Sequence, residues 1–109
     1  MISWNDFEKI DMRAGTIIAA EVFPEAKKPA YKLTIDFGEA GIKKSSAQIT
    51  SFYKTQDLVD KQVIAVINFP PKQIANFTSE CLVLGVYTET KEVILLQTER
   101  KVTNGMRIG

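Results

Sequence analysis

Residues 31–38, YKLTIDFG, alternate without interruption: Leu33, Ile35 and Phe37 fall on one face, Lys32, Thr34 and Asp36 on the other. A period of two fits a half-buried β-strand and not a helix. This constrains the whole chain, because such a strand needs edge partners and a core beneath its apolar face. TIIAAEVF (16–23), closed by Pro24, reads as the strand before it. EAG (39–41) turns the chain into IKKSSAQI (42–49), the expected hairpin partner. QVIAVINF (62–69) and ECLVLGVY (80–87) are strongly β-prone and expected to be buried on both faces, or nearly so. EVILLQT (92–98) is expected as the last strand.

Helical signals are few. Ser3 with Asp6 three residues later resembles a capping box, with Trp4 and Phe7 on one side of the short helix it starts. The spacing of Phe52, Tyr53, Leu58 and Val59 predicts a helix within 50–60, and Asn104-Gly105 predicts a turn in the tail. In that order the elements predict an all-β OB-fold. This is a five-stranded Greek-key barrel with a short N-terminal helix and a small helix between strands 3 and 4. A β-sandwich of this size needs about seven strands. The 109 residues suit one domain over 1–109.

Composition excludes several functions. Lys plus Arg is 14 and Asp plus Glu is 13, a net charge of +1, so no long-range basic field gathers nucleic acid. Histidine is absent, which removes the commonest general base and zinc ligand. A single cysteine, Cys81, forbids an intramolecular disulfide and a CxxC pair, in keeping with a reducing cytoplasm. At the mouth of CLVLGV it reads as a buried structural thiol rather than a nucleophile. Asp57 with Asp60, and Glu89 with Glu92, fall in polar turns; Gly38 and Gly41 lack the GK[ST] of a phosphate loop. The expectation is no enzyme, no cofactor and no metal. No apolar run approaches the ~20 residues of a membrane span, and MISWNDFEKID lacks the basic and apolar regions of a signal peptide.

The least ordinary stretch is INFPPKQIANFTSECLVLG (67–85). A loop between two buried strands is normally polar, yet this one carries Phe69, Ile74 and Phe77 and is stiffened by Pro70 and Pro71. Lys72, Gln73 and Asn76 add polar tips. Ile74 is expected to fold back as a plug, while the others suit the lip of a pocket. SSAQIT (45–50) is polar for a strand, either as an exposed edge or as the hydrogen-bonding floor of that pocket. Lys32 and Lys43 are expected on the outward, ligand-facing side of their strands.

These stretches, with DMRAGTI and the closing NGMRIG, resemble the tRNA-binding-domain family, most specifically across 45–50 and 62–85. More closely, they resemble its branch of small bacterial and archaeal proteins described as protein-export chaperones. The resemblance implies a homodimer. It also implies a non-catalytic protein that binds unfolded or presecretory polypeptide, with the protein-translocation motor and tRNA as further candidate partners. Where family members carry basic residues, this chain has Pro70, Gln73 and Ala75, and their usual Ser-Gly is Ala47-Gln48. If each lost cation contacted a phosphate, the salt slope of nucleic-acid binding falls by about 2.7. The peptide site expected is Lys32, Ser45, Ser46 and Gln48 as floor; Asn68, Phe69, Pro70 and Pro71 beside it; and Lys72, Gln73, Asn76 and Phe77 as lip. Lys32, Lys43 and Lys72 are the residues for the alternative, nucleic acid.

Overall fold

The hairpin read at residues 31–49 organises the molecule. The computed structural model describes residues 1–109. Helix α1 (Trp4–Glu8) is followed by strands β1 (Met12–Val22), β2 (Tyr31–Asp36) and β3 (Ile42–Ala47), helix α2 (Thr55–Leu58) and strand β4 (Gln62–Val66). Five short strands complete it: β5 (Lys72–Ile74), β6 (Phe77–Ser79), β7 (Leu82–Val83), β8 (Gly85–Tyr87) and β9 (Val93–Leu95). The main sheet has the order β3-β2-β1-β4-β7, antiparallel throughout. It curls until β3 approaches the segment entering β7, where Glu80 N–H donates to Lys44 O at 2.7 Å. The result is a nearly closed five-stranded barrel of OB-like form with two short helices.

The period-two pattern decides which face is inside. Leu33, Ile35 and Phe37 are fully buried. They share the core with Ile17, Ile49, Leu58, Val63, Ala65, Cys81 and Leu95. Strand β1 serves both halves of the barrel, pairing with β4 from Met12 to Thr16 and with β2 from Thr16 to Val22. A register shift between Ile17 and Ala19 supplies the bend. Gly15 is needed there, because a Cβ at that position overlaps the Phe37 ring. The tail returns across β1: Gly105 N–H donates to Ala14 O (2.8 Å) and Ile108 N–H to Met12 O (2.9 Å). Buried Gln62 grips it, donating to Val102 O at 2.7 Å and accepting from Val102 N–H at 2.9 Å.

Several expectations need correction. The capping box of α1 forms, with Ser3 and Asp6 bonded reciprocally. The helix expected over 50–60 shrinks to four residues, because Tyr53 is held by other partners. Its carbonyl accepts from the Tyr31 hydroxyl (2.7 Å), and its own hydroxyl accepts from Leu95 N–H (3.0 Å). The segment 80–87 is not one strand buried on both faces. It breaks at Leu84 into β7 and β8, and Val86 and Tyr87 are exposed. The fifth strand of the sheet is β7, not 92–98, whose β9 pairs with β8 as a separate ribbon. Residues 72–79, read as loop, fold into the β5–β6 hairpin.

Candidate functional site

The β5–β6 hairpin leans over the end of β3 and, with loop 67–71 and β7, encloses a groove of 490 Å³. Its polar lining comes from Ser46, Gln48 and Ser79, its apolar lining from Phe69, Pro70, Ile74 and Leu82. Lys72 and Glu80 contribute one charge of each sign. The sequence delivers these side chains in three ways. Alternation on β3 turns Ser46 outward while Ser45 points in. Two prolines hold Phe69 out, leaving it 54 % exposed. The hairpin sets Lys72 opposite Ser79 and Ile74 opposite Phe77.

Of the residues expected to form one site, the structure brings together Ser46, Gln48, Phe69, Pro70 and Lys72. Pro71 and Asn76 are exposed beside them. The positive φ of the hairpin turn falls on Ala75 (51°). Other residues are placed differently. Ser45 is fully buried and its hydroxyl donates to Cys81 O at 2.9 Å, so it belongs to the core rather than to a floor. Asn68 faces the N-terminal segment, accepting from Asp11 N–H (3.0 Å) and donating to Lys9 O (2.7 Å). Gln73 stays within its hairpin, donating to Ala75 O (2.9 Å) and accepting from the Thr78 hydroxyl (2.8 Å).

The lysines divide as well. Lys43 lies opposite Ile35, on the inward-facing row of β3, half-buried near Cys81; it is Lys44, opposite Thr34, that faces out. Lys32 does face outward, but it and Phe77 form a separate cluster. The Phe77 ring packs edge-on against buried Phe23, with centroids 5.4 Å apart. The Lys32 ammonium lies 5.5 Å from the Phe23 ring and 6.0 Å from that of Phe77.

Sequence reasoning missed Ser79, Glu80 and Leu82 as lining, and gave Ile74 only the role of a plug. It is the pairing of Ser79 with Lys72 across the β5–β6 hairpin that brings Ser79 to the groove.

The electrostatics are quiet. Burial pushes the Cys81 thiol up to about 11, against a smaller opposing effect of the Ser45 hydroxyl, so it is a poor nucleophile at neutral pH. The Arg13 guanidinium, bonded to Asp11 at 2.6 Å, holds the Asp11 carboxyl below its usual range, away from the groove. No three His, Cys, Asp or Glu side chains converge as a metal site would require. No helix is long and apolar enough to cross a membrane.

Residues 12–107 match the tRNA binding domain family. A crystal structure of chaperone CsaA from Bacillus anthracis str. Ames is 50% identical with a TM-score of 0.95, covering 100% of this chain and 99% of that one. The CsaA chaperone protein from Picrophilus torridus is 55% identical with a TM-score of 0.93, covering all of both chains. Among curated proteins, methionine–tRNA ligase 1 of Sorangium cellulosum is 38% identical over 104 residues. Those residues are 95% of this chain but only 15% of the ligase.

Proposed function

The chain belongs to the tRNA-binding-domain family, and we propose that it acts, as a single domain over 1–109, by holding unfolded or presecretory polypeptide rather than by catalysis. The observation that carries this reading is the groove. It sets exposed Phe69 and Leu82 beside Ser46, Gln48 and Ser79, with a single cation, Lys72. Apolar area next to neutral hydrogen-bonding groups suits an unfolded peptide, which carries both. Binding such segments depletes the pool that aggregates, with no need for a nucleotide. The likeness to chaperone CsaA structures over the full chain supports the same reading. The work fits the cytoplasm, at or before transfer of clients to a protein-translocation motor.

A second reading, binding of tRNA or another single-stranded nucleic acid, is favoured by the family and by the ligase relative. Of the three lysines that would serve it, only Lys32 and Lys72 face outward, and the positions of Pro70, Gln73 and Ala75 are uncharged. Binding of labelled tRNA and of a reduced, carboxymethylated secretory protein, each at 50 and 200 mM salt (roughly the range in which phosphate contacts are lost), separates the two. The polypeptide reading expects binding of the unfolded protein with little salt dependence and weak tRNA binding at the higher salt. Submicromolar tRNA affinity at that salt, without polypeptide binding, overturns it.

The working unit we propose is a homodimer. Trp4 is 79% exposed and Ile2 76%, and they border a hollow of 640 Å³ with Phe7 and Gly109. Apolar surface of this size calls for a cover, which a second copy supplies. Light scattering at micromolar concentration should report twice the chain mass, and a monomer contradicts it.

A further inference from the structure

The seam between β3 and β7 is stitched at one end and open at the other. Phe37 N–H donates to Gly41 O (3.0 Å), which sets the phase of the β2–β3 ladder. Residues 43, 45 and 47 therefore bond to β2, and 42, 44 and 46 turn their main chain away from it. Facing the seam, Lys44 N–H donates to the Glu80 carboxylate (3.0 Å), and its carbonyl accepts from Glu80 N–H (2.7 Å). Ser46 N–H donates to the Ser79 hydroxyl at 3.0 Å. There the stitching stops. The Ser46 carbonyl and the main-chain N–H and C=O of Gln48 have no partner in the chain, and the Gln48 amide has none either.

The opposite lip is unpaired too. Leu84 N–H donates to Ile64 O at 2.8 Å, so Val83, in register with Ala65, turns its N–H and C=O away from β4. They point as the Cys81 carbonyl does, which reaches Ser45 on β3. Between the lips lies a cleft of 390 Å³ that shares Ser46, Gln48 and Leu82 with the groove described above. Two strand edges with free donors and acceptors flank one continuous channel.

We propose that this open seam takes an extended polypeptide segment through main-chain hydrogen bonds, at Ser46 C=O and the Gln48 peptide groups on one lip and at Val83 on the other. The inference rests on the polypeptide reading and adds how the segment is recognised. An added strand supplies N–H and C=O groups at the spacing a strand edge presents. A nucleic acid supplies phosphates, for which the cleft holds one cation, Lys91. Recognition through the main chain is indifferent to sequence, and the alternating side chains of the segment meet Phe69, Ile74 and Leu82 on one side only.

The test uses a fluorescein-labelled decapeptide of alternating leucine and serine, and two forms of it N-methylated at the odd or at the even residues. Methylation removes the peptide's donors without touching the protein. The expected result is at least a tenfold loss of affinity for one or both methylated forms. With the parent peptide, hydrogen exchange at the Gln48 and Val83 amides should also slow at least tenfold. If the parent binds and both methylated forms bind as tightly as the parent does, or if those two amides exchange as before, the seam mechanism is overturned and the polypeptide reading stands. If neither the parent peptide nor the carboxymethylated protein binds, both fall.

Discussion

Replacing Phe77 by Ala separates the two aromatic residues that the sequence offered as one lip. The half-buried Phe77 ring packs on Phe23 at 5.4 Å beneath the Lys32 ammonium. Truncating a fully buried Phe costs about 3–5 kcal/mol, so half-burial suggests about 2. Loss of the aromatic pair adds about 1. A destabilisation of about 2–3 kcal/mol lowers the melting temperature of a domain this size by roughly 10–20 °C. Phe69, exposed and free of such contacts, should behave oppositely. Phe69→Ala should stay within about 0.5 kcal/mol of the parent. It should weaken polypeptide binding about tenfold or more, as the loss of a pocket anchor does. Thermal melting by circular dichroism and fluorescence anisotropy with carboxymethylated polypeptide read the two effects. If Phe77→Ala melts like the parent while Phe69→Ala melts early, the assignment of the two rings is wrong.

Three further outcomes follow from local geometry. The Cys81 thiol titrates near 11 in the fold against 9.0 when unperturbed, so the unfolded chain ionises first. Its contribution is full below pH 9 and lost as pH rises through 11; Cys81→Ala should lose roughly 3 kcal/mol less than the parent across that window in urea titrations. Ala75 sits at φ 51° in the hairpin turn, where glycine carries no Cβ penalty, so Ala75→Gly should gain about 0.5–1 kcal/mol by the same titrations. Asn68→Ala breaks the bonds to Asp11 and Lys9 and should cost about 1–2 kcal/mol of stability, with polypeptide affinity unchanged. A tenfold loss of binding would return Asn68 to the groove.

How much of this was legible in the sequence depended on whether local pattern or tertiary pairing decided the outcome. Leu33, Ile35 and Phe37 were readable because one strand's alternation fixes their face. Ser45 and Ser46 were not separable, since both are small and polar. Only the register of the hairpin shows that Ser45 faces Leu33 and the core while Ser46 faces Lys32 and solvent. The same register exchanges Lys43 for Lys44 as the outward charge. The β5–β6 hairpin was hidden because its turn, Ala75-Asn76, lacks the glycine that signals such turns. In 82–87, hydropathy alone could not tell strand inside the barrel from ribbon leaving it, so Val86 and Tyr87 were read as buried. Asn68 looked like a ligand-binding amide because its partners, Lys9 and Asp11, lie far off in sequence.

The most direct test of the central claim is an amide chemical-shift map of the protein titrated with a carboxymethylated unfolded polypeptide at 150 mM salt, within the range where exposed charges are well screened. The account predicts shifts concentrated at Ser46, Gln48, Phe69, Lys72, Leu82 and Val83, around the groove and the open seam. Shifts confined to the Trp4–Phe7 face, or saturating shifts at the groove with tRNA and none with polypeptide, would contradict it.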